Sequence, residues 1–408
     1  MFKIIALVLI GIIFLFTLFI NVRSYLARKR PIPEEIKDVY DEETYRKWKA
    51  YSADKILVKM IVSIVSTIVT IPLIVTDVFA LASKNIDNHY FSTLIVLAIY
   101  VGISLIIALV GDYFLKIKVE GKYGFNKSTM KTFIGDCVRK SLITIFLFAG
   151  LTLLFIGIYE SMGDYVLLLF SGILFAFILL VGFIFPLLSK ASNRFMSLEE
   201  GELRTILMGL LTKNGYVVKD IKVMDASRRT SKSNAYFTGF GKTKTIVLYD
   251  NMLKTLSEDE IVAVFAHEMA HGLHKDSLKR SALSLFNIVV LVVLTWLLVR
   301  FPEIYKDFGY NDVNYGMAVI LLLECLVPVV FTFLSIPTQA LSRYQEFKAD
   351  EAAVKEGYGD QLVSGLKKIY KDSLGDLNPD PLVVTLSYSH PTLHQRIKNI
   401  EKAKEKKQ

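Results

Sequence analysis

Cysteine is nearly missing from the 408-residue chain: only Cys137 and Cys325 occur, far apart in sequence. That excludes a disulfide framework and a cysteine-based metal site. Charge is scarce as well, at 21% of residues against 53% hydrophobic, which excludes a disordered chain and argues against an ordinary soluble protein. No phosphate-binding glycine loop, nucleophile elbow or nucleic-acid module is present, so no nucleic-acid partner is expected. The two halves also lack the self-similarity that the repeat architecture of a transporter would leave.

Long uncharged runs take up much of the chain. Seven approach the ~20 residues needed to cross a bilayer, at about 4–21, 60–82, 93–114, 141–159, 165–188, 281–300 and 317–337. The first lacks a small-x-small cleavage site and is followed by Arg28, Lys29 and Arg30, so it reads as an anchor and not as a signal peptide. The net charge of +9 has a simple distribution: 43 of the 48 Lys and Arg fall in the alternate segments 22–55, 115–140, 189–280 and 338–408. Under the positive-inside rule the N-terminus is expected outside and both long polar segments and the C-terminus in the cytoplasm. The membrane would be the cell membrane in a prokaryote and the endoplasmic reticulum in a eukaryote. The spacing predicts an N-terminal membrane domain over 1–188 and a second domain over 189–408, interrupted by a transmembrane hairpin at 281–337. Lys59 and Asp77 sit near span ends and can snorkel, whereas Glu324 lies deeper and reads either as facing a water-filled cavity or as a polar bridge to another helix.

Between the fifth and sixth runs, 199–214 reads as an amphipathic helix, and 221–224, 235–240 and 245–249 as short strands. Ser257 and Glu260 form a capping-box pattern that predicts a helix from about Glu258. On it His267 and His271 stand one turn apart and face the same way, an HExxH arrangement in which both imidazoles can bind one zinc ion. Glu268 is then set to take a proton from water activated by the metal. His274 reads as a residue of the helix end and not as a ligand, because the longer pattern that would recruit it is missing. A catalytic zinc needs a third protein ligand. Glu346 is the candidate, on a helix whose Ala349, Ala352 and Ala353 permit close approach, and Asp350 one turn later can orient a ligand histidine.

With those residues in place the chain resembles the membrane-embedded zinc metalloproteases of the CAAX prenyl protease 1 family. The resemblance rests on HEMAH at 267–271, SRYQEFKAD at 342–350, Tyr51–Lys55, Tyr123–Lys127 with Thr129 and Phe133, Ser233–Gly239, Asp380–Leu382, Ser387–Thr392 and Arg396. The late segment and the GFN segment favour this family over the shorter four-span bacterial stress protease. It implies a predominantly helical polytopic membrane protein, with seven helices ringing a water-filled chamber closed by a cytoplasmic, gluzincin-like zinc domain that carries a small β-sheet. It also implies His267, His271 and Glu346 as ligands of one Zn2+, Glu268 and His390 as catalytic residues, and Asn234 and Arg396 as substrate contacts. The activity implied is cleavage near the C-terminus of prenylated or other membrane-associated peptides by a monomer in the lipid bilayer. A broader quality-control protease would use the same residues, and a transporter is the reading from another class.

Overall fold

The computed structural model describes residues 1–192, 194–238 and 245–407, apart from the side chains of 182–192, 237 and 238. Among the described residues, six stretches are long and apolar enough to cross a membrane: Phe2–Ala27, Glu42–Val75, His89–Glu120, Met130–Val181, Asp276–Arg300 and Tyr315–Lys355. The fourth holds two of the seven expected runs, as helices Met130–Met162 and Val166–Ser192 separated by a 3-10 turn at Gly163–Tyr165. Gly163 breaks the helix with φ +55, a conformation that costs glycine little. The side chains at the end of the fifth run, 182–188, are outside the described residues.

Apolar side chains on these helices meet in one buried cluster, which includes Ile74, Val96, Phe170, Val292, Met317 and Leu321. Most of the outward-facing surface stays apolar and exposed, with Leu15, Ile61, Ile106, Phe146, Leu168 and Phe333 among many. That distribution suits a lipid solvent and would be costly in water.

A second core lies in the polar remainder of the chain. Four strands, β1 (Phe195–Ser197), β2 (Asp220–Met224), β3 (Ala235–Thr238) and β4 (Thr245–Tyr249), form a sheet in the order β1-β2-β4-β3. The β2–β4 pair is parallel and the outer two pairs are antiparallel, so β3 is an edge strand. Its sequence reading extended to Phe240; residues 239 and 240 lie outside the described residues. β1 was not foreseen, three residues being too short to show a period of two.

The histidine-bearing helix spans Glu258–Leu273, and both bonds of its capping box form: Ser257 Oγ accepts from the Glu260 amide and Glu260 from the Ser257 amide. It is apolar on nearly all sides, with Ile261, Val262, Ala263, Phe265 and Ala266 buried, so it runs through the middle of this core. The helix carrying Glu346, Val327–Lys355, packs against it, and the fully buried Ala349 and Ala353 leave room for that approach.

Two of the motif segments serve to join these cores. Tyr51 packs edge-on against Tyr123 at 5.1 Å and tilted against Phe125 at 5.0 Å, while Asp54 accepts from Lys122 and the Tyr123 hydroxyl. Lys232, just before β3, reaches Glu120 at 2.9 Å, and Glu120 also accepts from the Tyr51 hydroxyl. The ends of the second and third apolar stretches are thereby fastened to the sheet.

Candidate metal centre

His267 and His271 project from the buried helix toward Glu346. His267 Nε2 lies 3.5 Å and His271 Nε2 3.4 Å from the two Glu346 carboxylate oxygens. The three possible ligand atoms all fall within 4.8 Å of one another, and among the described residues this is the one such group of His, Cys, Asp and Glu side chains. Two imidazole nitrogens and a carboxylate oxygen suit a divalent transition metal, zinc in particular.

The other ring nitrogens are held by carboxylates. His267 Nδ1 donates to Asp350 Oδ1 at 2.9 Å, and His271 Nδ1 to Asp276 Oδ2 at 3.0 Å. Both acceptors are buried, Asp350 completely. Such bonds fix each ring's tautomer and leave Nε2 free for a metal. Sequence reasoning singled out Asp350 but missed Asp276. Its signal is present, since it lies five residues after His271 and opens the next helix, Asp276–Arg300. The link between the helices bends through Lys275 at φ +55, which costs a non-glycine residue about 1–2 kcal/mol and brings Asp276 back under the histidine. Close approach recurs at Gly272, where a Cβ would stand 2.0 Å from the Tyr216 hydroxyl.

The remaining candidates fall in different places. His390 is largely exposed, yet its Nδ1 sits 3.1 Å from Glu346 Oε1, at the mouth of the group. His274 caps the histidine helix, exposed and outside the ligand group. Asn234 is exposed at the start of β3; its carbonyl accepts from the Tyr249 amide and its side chain from the Ala235 amide. Arg396, which the resemblance implies as a substrate contact, lies beside the ligand group. It is buried, with Nε and a terminal nitrogen forked onto Asp350 at 3.0 and 2.6 Å, and its other terminal nitrogen 3.7 Å from Glu346. Its partners are thus the carboxylates around His267 and the ring itself, whose Nδ1 lies 3.2 Å from the guanidinium. The capping box of helix Leu393–Glu405 and the buried Leu393 and Ile397 turn the arginine inward.

Electrostatics follow from this crowding. Burial and the Arg396 charge oppose protonation of His267, but Asp350 and Glu346 outweigh them and lift its pKa to about 9. Burial raises Glu268 above the usual carboxylate range. A raised histidine pKa means that the metal-free ring holds a proton a metal must displace. The affinity of the apoprotein for Zn2+ should therefore climb about tenfold per pH unit below pH ~9 and level off above it. Competition with a chromogenic chelator between pH 6.5 and 9.5 tests this, and a flat profile would be the contrary result.

Comparison with known proteins agrees with the geometry. Residues 197–404 match the family model for peptidase family M48, and residues 21–190 match the model for the CAAX prenyl protease N-terminal region, described as five membrane helices. The chain is 31% identical over 415 residues to a CAAX prenyl protease 1 homolog of Oryza sativa subsp. japonica, covering 97% of this chain and 96% of the relative. It is 28% identical to CAAX prenyl protease 1 of Saccharomyces cerevisiae, over 97% and 94% of the two chains. The crystal structure of S. mikatae Ste24p superposes with a TM-score of 0.89 at 27% identity, covering 98% of this chain and 99% of that one.

Proposed function

We propose, from the premise that the chain belongs to peptidase family M48 and to the CAAX prenyl protease 1 family within it, that it uses one zinc ion to cleave near the C-terminus of prenylated, membrane-associated peptides. It is a multi-span membrane metalloprotease, so a peptide is its substrate and the bilayer its setting. What carries the finer reading is the convergence of His267, His271 and Glu346, with both histidines backed by buried carboxylates.

In this reading those three side chains hold the zinc. Bound there, zinc would supply Lewis acidity, bringing the pKa of a coordinated water toward ~7 and polarising the scissile carbonyl. Glu268 takes the proton of the attacking water and passes it to the leaving amine. Its burial favours that role, because a base with a raised pKa holds the proton long enough to deliver it. His390, at the mouth of the group, donates to the oxyanion. Among the described residues β3 pairs with β4 alone, so its other edge can take an extended peptide as a fifth strand, with Asn234 at its entrance. Arg396 holds Asp350 in place and acts on substrate only through the ligand set.

Division into residues 1–188 and 189–408 follows, the second domain carrying the metal and the hairpin 281–337 returning Glu346 to the histidines. The charge distribution supports a cytoplasmic site and an outward N-terminus. All candidate ligands and the base come from one chain, which supports a monomer as the working unit.

A matched pair of peptides, farnesylated and unmodified, tests the substrate class with the purified protein in detergent. The farnesylated member should be cleaved at least about tenfold faster, since burying even part of an isoprenoid contributes well over 1.4 kcal/mol. Equal rates would favour the quality-control protease.

A further inference from the structure

Glu324 takes no part in the metal centre, although an ionisable group within a membrane span is costly to keep there. It lies on a short π-helical segment, Leu322–Leu326, a distortion frequent at functional sites. The Tyr100 hydroxyl donates to its Oε1 at 2.7 Å, the bridge to another helix that the sequence allowed, and Glu324 also lines a cavity of about 480 Å³.

The cavity is lined as well by Thr17, Lys59, Ser63, Ser66 and Thr67. Of its three charged lining residues, Asp112 is already paired with Lys116 and Lys140, and the other two, Lys59 and Glu324, are separated along the helix Glu42–Val75. Lys59 marks one end, and among the described residues it has no ion-pair partner. Tyr100, which holds Glu324, shares a small neighbouring cavity with Ser66, Thr70 and Ile74, which puts the Glu324 carboxylate toward the other end. From Lys59 to Thr67 is about 12 Å of helix. A metal cation would answer Glu324 and leave Lys59 unmatched, whereas a zwitterion answers both.

We propose that this cavity binds a short peptide with free termini, its carboxylate on Lys59, its ammonium on Glu324 and its backbone on the intervening hydroxyls. This rests on the proposed function: cleavage near a C-terminus releases a fragment that carries the new α-ammonium and the old carboxylate. Three residues span roughly 10 Å when extended, which fits the separation, and the volume falls in the small-ligand range. The site is then a station on the path by which the released fragment leaves.

The test uses the full chain in phosphatidylcholine nanodiscs and a radiolabelled tripeptide, Val-Ile-Ser, with N-acetylated and C-amidated versions as competitors. The free tripeptide should bind saturably, and blocking either end should weaken it at least about tenfold, the value of one charge-assisted hydrogen bond. Lys59→Met should remove the penalty for amidation alone and Glu324→Gln the penalty for acetylation alone, a crossed pattern that misfolding cannot mimic. Equal binding of the blocked peptides or no saturable binding would each overturn the proposal. Cleavage and zinc content are read on the same samples. Tripeptide binding without cleavage in the wild type would defeat the proposed function alone; cleavage without tripeptide binding would defeat this site alone.

Discussion

Glu268→Gln should retain wild-type zinc and lose peptide cleavage by about 10²–10⁴-fold. Glutamine keeps the volume and the hydrogen-bonding reach but cannot accept the proton of the attacking water. The metal should stay because the ligand group consists of His267, His271 and Glu346, and Glu268 lies outside it. Two readouts on one preparation separate these effects: metal content by mass spectrometry and turnover of a farnesylated peptide. A variant that loses zinc would make Glu268 a ligand, and one that turns over within a few-fold of wild type would remove it as the base.

The second large effect belongs to the pair beneath His267. Asp350 and Arg396 are both buried and joined by a two-pronged hydrogen bond, and Asp350 also accepts from His267. Asp350→Leu leaves a buried guanidinium without its carboxylate, an error that costs about 3–5 kcal/mol. It also frees the ring of His267, and losing such a support lowers metal affinity about 10–100-fold. Adding Arg396→Met removes the orphaned charge. The double variant should regain most of the lost stability and none of the lost zinc affinity. Denaturation midpoints with chelator present, alongside zinc competition, test both parts. Recovery of affinity together with stability would mean that Asp350 supports the fold without orienting the ligand.

How much of this was legible in the sequence depends on the range over which each signal acts. The capping box, the HExxH helix and the strands at 221–224 and 245–249 are local patterns, and the chain folds as they read. Glu346 was reachable because alanines at one-turn spacing announce a close helix contact. Asp276 was missed because its approach to His271 depends on the left-handed bend at Lys275, which no propensity foretells. Arg396 was noticed only through the family resemblance; its fork onto Asp350 depends on the packing of Leu393 and Ile397, which no local pattern announces. The motif at 123–127 was noticed through its resemblance to a family; what it does physically is fasten its loop to the helix Glu42–Val75 through Tyr51 and Asp54.

The proposed chemistry depends on one metal held by three side chains. Zinc per chain and peptide cleavage, followed together as 1,10-phenanthroline is added and zinc is then restored, test that claim most directly. The expected result is one zinc per wild-type chain, lost and regained in step with cleavage, and little zinc with no cleavage in Glu346→Ala. Cleavage that persists in zinc-free protein, or full zinc occupancy in Glu346→Ala, would contradict it.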